Sequence, residues 1–134
     1  MSARFVFVGE RRSPRARSLG VRWEHGRLSG KTLFDALRAA GVEPGDQCYL
    51  NLFREPPGRG VDRVALRRVR ELAAAGVLVV GMGCKVQTGL DRAGVGHVRL
   101  VHPAARGLIR TRAVYQAHVA TVLGPYLAPG QQAA

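Results

Sequence analysis

Arg4-Phe5-Val6-Phe7-Val8-Gly9 is an unbroken β-branched and aromatic run that stops at a glycine. No polar residue interrupts it after Arg4, so a strand here has no solvent face and must be buried on both sides, as in a parallel sheet. Three more short runs read as strands: Gln47–Phe53, cut off by Pro56-Pro57-Gly58; Val77–Met82, buried like the first and closing on Gly81-Met82-Gly83; and His97–Val101. Helical periodicity fills the gaps. Leu33, Phe34, Leu37 and Ala40 share one face before Gly41. Val61, Val64, Ala65, Val69, Leu72 and Ala73 form a stripe that ends at Gly76, with Arg63, Arg67 and Arg70 facing away. A short helix follows through Val86 and Leu90, and a last one runs from Leu108 to about Leu123. Glu10–Ser18 reads as a basic loop, and Gly20–Gly30, with the single tryptophan Trp23, as its continuation. Four strands alternating with helices predict an α/β fold, a three-layer sandwich around a four-stranded parallel sheet. One domain is expected over residues 1–124, with 125–134 a frayed C-terminal tail.

Composition narrows the class. The 134 residues are 46% hydrophobic and 22% charged, the balance of a folded soluble chain rather than a disordered one. No apolar run approaches the roughly 18–20 residues of a membrane span, and the N-terminus carries no secretion signal, so a cytoplasmic monomer is expected. Cys48 and Cys84 lack metal-ligand or disulfide spacing and read as small buried hydrophobes. All but two of the 21 basic residues are arginine, against 9 acids, giving +12. A GC-rich genome explains arginine in place of lysine but not the excess of base over acid, which points to a polyanionic partner.

In open parallel sheets ligands bind beyond the carboxyl ends of the strands. Those ends carry Gly9-Glu10, Asn51, Gly81-Met82-Gly83-Cys84-Lys85 and His102. Taken singly, each has a plain structural reading. Glu10 is then a solvated loop acid, Asn51 a turn cap, His102 a hydrogen-bonded structural histidine, and Trp23 a loop anchor on the core. Their co-occurrence at strand ends is what raises Glu10, Asn51 and His102 above those readings.

In this order the residues resemble the uracil-DNA glycosylase superfamily, especially its thermophile-type branch. The resemblance spans roughly Phe5 to Leu123. Val8-Gly9-Glu10 looks like the family's strand and Gly-Glu turn. Trp23 before Ser29-Gly30-Lys31-Thr32-Leu33 is similar to its aromatic residue and helix start. Tyr49-Leu50-Asn51 with Pro56-Pro57-Gly58, then Val79-Val80-Gly81-Met82-Gly83, and finally His102-Pro103-Ala104 complete the series. Arg12 and Ser13 stand where the family has proline and glycine, and the branch's four cluster-binding cysteines have no counterpart, so no iron–sulfur cluster, other metal or cofactor is expected.

The resemblance implies a glycosylase that flips a base out of DNA and hydrolyses its N-glycosidic bond. His102 would be the donor to the departing uracil oxygen, as a neutral imidazole. Asn51 would read the uracil edge, Trp23 would stack on the ring, and Gly9 would lie against the substrate. Glu10 would orient or deprotonate the attacking water, and Arg15, Arg17 and Arg106 would hold phosphates. A non-catalytic nucleic-acid-binding module on the same fold, motivated by Arg11-Arg12-Ser13, is a second reading. A nucleotide-binding α/β protein, prompted by Gly81-Met82-Gly83, is a third.

Overall fold

A computed structural model describes residues 4–107, 109 and 111–127. Its four strands are β1 (Phe5–Gly9), β2 (Cys48–Asn51), β3 (Leu78–Met82) and β4 (Val98–Leu100). The α-helices are α1 (Pro14–Leu19), α2 (Ser29–Ala39), α3 (Arg63–Ala74), α4 (Cys84–Arg92) and α5 (Arg112–Leu123). All strand pairings are parallel, in the order β2-β1-β3-β4. The α/β class and the parallel sheet are as the sequence predicts.

Side chains alternate across a strand, and β1 uses both of its faces. Phe5 and Phe7 join Leu33, Ala36 and Leu37 of α2 and Tyr115, Val119 and Leu123 of α5 in one core. Val6 and Val8 join Val69 and Leu72 of α3 and Val86 and Leu90 of α4 in the other. The order explains this division. The chain leaves β1 sideways to β2, then crosses back over β1 to reach β3. Right-handed crossovers taken in opposite directions must lie on opposite faces. The reversal lies between β1 and β3, the place where a doubly wound sheet opens a crevice.

Several expectations are corrected here. The basic loop at Glu10–Ser18 contains α1: Ser13 Oγ accepts from the Ala16 N–H at 3.1 Å, Pro14 is the first helical residue, and Gly20 closes the helix at φ 67°. Ser-Pro start and Gly stop are a regular helix signature, obscured by the density of arginine. Trp23–His25 form a 3-10 turn. Val64 is 75% exposed and Ala73 is also exposed, because the inward stripe is Ala65, Val69 and Leu72, at spacings of four and three. Cys84 is exposed and Cys48 only half-buried. The tail begins later than expected: Gly124–Tyr126 form another 3-10 turn and Leu127, 6% exposed, belongs to the α2–α5 core. Leu108, where the last helix was expected to begin, and residues 128–134 lie outside the described residues, and α5 starts at Arg112.

Candidate functional site

Gly9 and Asn51 are register partners at the carboxyl ends of β1 and β2. Beside them opens a cleft of about 480 Å³ whose walls include Glu10, Trp23, Asn51 and His102. Three of these stand at strand ends. Trp23 arrives from the irregular segment between α1 and α2, and the start of α2 brings Ser29 and Gly30 to the same wall. A Cβ on Gly30 would approach the Trp23 carbonyl to 3.2 Å, so the glycine lets α2 begin hard against that turn. Leu28, just before α2, holds φ 57°, a conformation costly for a branched side chain, while lining the cleft.

Trp23 Nε1–H donates to Asn51 Oδ1 at 2.8 Å. The contact needs residue 9 to be glycine. A Cβ there would sit 2.8 Å from Asn51 Oδ1 and 2.9 Å from two atoms of the indole. Gly9, Trp23 and Asn51 are therefore one packed unit.

His102 ends the segment after β4 in a turn closed by Ala105 N–H to His102 O, 2.9 Å. The Ala104 N–H donates to His102 Nδ1 at 3.0 Å. A ring nitrogen that accepts carries no proton, so the neutral ring bears its hydrogen on Nε2. Burial holds the His102 pKa below the usual 6.5, opposed in part by the charge of Glu10. The ring meets Trp23 edge-on with centroids 5.7 Å apart. The imidazole is thus a neutral donor of fixed tautomer on the cleft wall.

Glu10 is partly exposed and ion-paired to Arg11 at 3.5 Å and to Lys85 at 3.4 Å. Both cations also lie over the Phe53 ring, at 5.8 and 5.0 Å. Next in sequence, Arg12 makes a two-pronged bond to Glu55, 2.7 and 2.9 Å, and Arg11 Nε donates to the Arg54 carbonyl at 3.0 Å. The Arg11-Arg12-Ser13 turn is thus tied to the loop after β2. The Arg12 guanidinium holds the Glu55 carboxyl below the ordinary carboxylate value of 4.5. Stability from this pair is complete above that value and lost as pH falls through the lower folded-state value. Glu55→Ala is expected to leave the melting temperature almost unchanged, because both partners are partly exposed. It should speed trypsin cleavage after Arg12 several-fold, read by mass spectrometry of the fragments. Equal cleavage rates would show that the turn is held by other contacts.

Five arginines and one carboxylate, Glu10, line the cleft. Arg11 and Arg12 are engaged as described, and Arg17 lies near enough to Glu55 to help keep it ionised. The side chains of Arg22 and Arg27 are exposed and make no ion pair among the described residues. Of the three expected phosphate contacts, Arg17 is at the cleft, whereas Arg15 and Arg106 are exposed elsewhere and do not line it. Arg22 and Arg27 were missed because they lie in a segment without periodicity. Their only sequence signal was flanking Trp23.

A Cβ on Gly81 would reach 2.9 Å from His97 and 3.1 Å from Leu90, so its lack of a side chain serves helix packing. Gly83 lies beside His102, its virtual Cβ 3.5 Å from that residue's Cβ. His25, His97 and His118 serve structure. His25 Nδ1 accepts the Arg22 N–H at 2.9 Å, His97 Nδ1 bonds the Val95 carbonyl at 2.9 Å, and His118 Nε2 accepts the Val101 N–H at 3.0 Å.

Neither protein-family models nor curated proteins match the chain. Among the described residues, no group of three or more His, Cys, Asp or Glu is placed to hold a metal ion. No helix of those residues is long and apolar enough to cross a membrane.

Proposed function

We propose that this protein is a DNA glycosylase on a uracil-DNA-glycosylase-like fold, excising uracil or a related damaged base from DNA. The observation that carries the reading is the convergence of Glu10, Asn51, His102 and Trp23 on one cleft at the strand ends. The cleft volume lies within the roughly 300–1,000 Å³ usual for small-ligand sites, large enough to take a flipped base. Asn51 presents an amide to the base edge, and His102 an Nε2–H to the carbonyl oxygen O2, borne on the carbon next to the glycosidic nitrogen. As the C1′–N1 bond breaks, its electron pair goes to the base, and the neutral imidazole donor stabilises that charge without itself losing a proton. Water forms the new C1′–O bond. Glu10 holds that water and takes its proton, which ends on the released base. Arg17, Arg22 and Arg27 supply positive charge at the rim for the phosphates on either side of the flipped nucleotide.

The test is incubation with single-stranded and mismatched duplex oligonucleotides carrying one uracil, followed by alkaline cleavage at abasic sites. Strand scission at the uracil is the expected result, falling as salt rises. Prolonged incubation without abasic sites on either substrate would sink the proposal.

A second reading is a nucleic-acid-binding module that has lost catalysis. It is favoured by the two ion pairs that occupy Glu10. Salt-sensitive DNA binding without base release is its signature.

A further inference from the structure

We infer that Trp23 sets the base specificity of the cleft by fixing which end of the Asn51 amide meets the ligand, so that the site selects a ring carbonyl over an exocyclic amine. The inference rests on the base-excising reading above. An amide is ambiguous by itself, since its oxygen and nitrogen ends are nearly equal in size and opposite in hydrogen-bonding sense. The indole N–H resolves the ambiguity because it can only donate, so the amide atom it meets at 2.8 Å must be the oxygen. Asn51 Nδ2 makes no side-chain hydrogen bond among the described residues and is not a sealed, unpaired atom. Its two N–H donors therefore stay available on the cleft wall that Asn51 helps to form.

A base edge with a carbonyl in that position is accepted, and the second lone pair of Oδ1 can receive the neighbouring ring N–H. Uracil offers that pair. Cytosine offers an amine and an unprotonated ring nitrogen, opposing donor with donor and acceptor with acceptor. To fit cytosine the amide would have to turn over, which would set its NH₂ against the indole N–H. Trp23 is thus a positioning residue for specificity, acting through Asn51. Gly9, lacking a side chain, leaves room for the contact.

The chain holds a single tryptophan, so two changes isolate its N–H. Trp23→Phe keeps an aromatic ring. Biosynthetic replacement of tryptophan by benzothienylalanine keeps the full bicyclic outline, with sulfur in place of N–H. Release of uracil and of cytosine from otherwise identical single-stranded oligonucleotides is then compared. The unaltered protein is expected to favour uracil by roughly 10⁴-fold or more, the scale set by polar groups left unpaired against the wrong substrate. Both altered proteins should lose at least about tenfold of that ratio, the worth of roughly one hydrogen bond. An unchanged ratio in the benzothienylalanine protein, whose packing is retained, overturns the inference even if Trp23→Phe does not fold. Absence of uracil release by the unaltered protein is a different failure, and it removes the base-excising reading together with the inference.

Discussion

His102→Ala is expected to slow base release by about 10²–10³-fold, the usual consequence of removing one preorganised donor to a developing anion. The local geometry presets this donor. Accepting the Ala104 N–H on Nδ1 places the proton on Nε2, and burial keeps the ring neutral below its ordinary pKa of 6.5. The donor is therefore in place before reaction and needs no reorganisation during it. Alanine leaves the backbone turn intact, so circular dichroism should show an unchanged fold. The same substitution has a stability signature with a defined sign. Just below pH 6.5 the unfolded chain binds more protons at this position than the folded protein does. Stability is therefore fully present above 6.5 and falls as pH drops through the lower folded-state value. His102→Ala should remove this part of the pH dependence, measured as melting temperature against pH. Wild-type turnover in a folded His102→Ala protein would eliminate His102 as the donor.

Gly9→Ala should be nearly as damaging to activity, although only a methyl group is added. The new Cβ would stand 2.8 Å from Asn51 Oδ1 and 2.9 Å from two indole atoms, closer than real Cβ contacts come. One of the two side chains must move. Overpacking of this kind costs about 1–3 kcal/mol of stability, and an angstrom of misplacement can cost on the order of 10²-fold in rate. The melting temperature should fall by several degrees, with base release reduced by about that rate factor. A Gly9→Ala protein with wild-type activity would show that the indole–amide contact is dispensable for the reaction.

Legibility in the sequence followed periodicity. The central strands were visible as unbroken apolar runs buried on both faces, and the helices α2 and α3 because their burial repeats every three to four residues; the candidate residues Glu10, Asn51 and His102 stood out because they lie at or just past strand ends. Single residues and short elements were misassigned: Val64, in the first turn of α3, was given to the core although it faces solvent, and the six-residue α1 was given to a loop. Leu127 was left to the tail because one buried leucine beyond Pro125 carries no pattern of its own.

By itself, the sequence determined that strands alternate with helices, that the strands run parallel with the first and third buried, and which chemistry-bearing residues stand at their carboxyl ends. Only the tertiary structure decided the order β2-β1-β3-β4, which makes the ends of β1 and β2 neighbours and lets Gly9 face Asn51. It also decided that Trp23, 28 residues away in sequence, donates to the Asn51 amide, and that Arg22 and Arg27 rather than Arg15 and Arg106 edge the cleft. The reason is physical. Periodicity reports which face of an element is buried, whereas neighbourhood between elements is set by how whole helices and strands pack and by the path of irregular segments that carry no period.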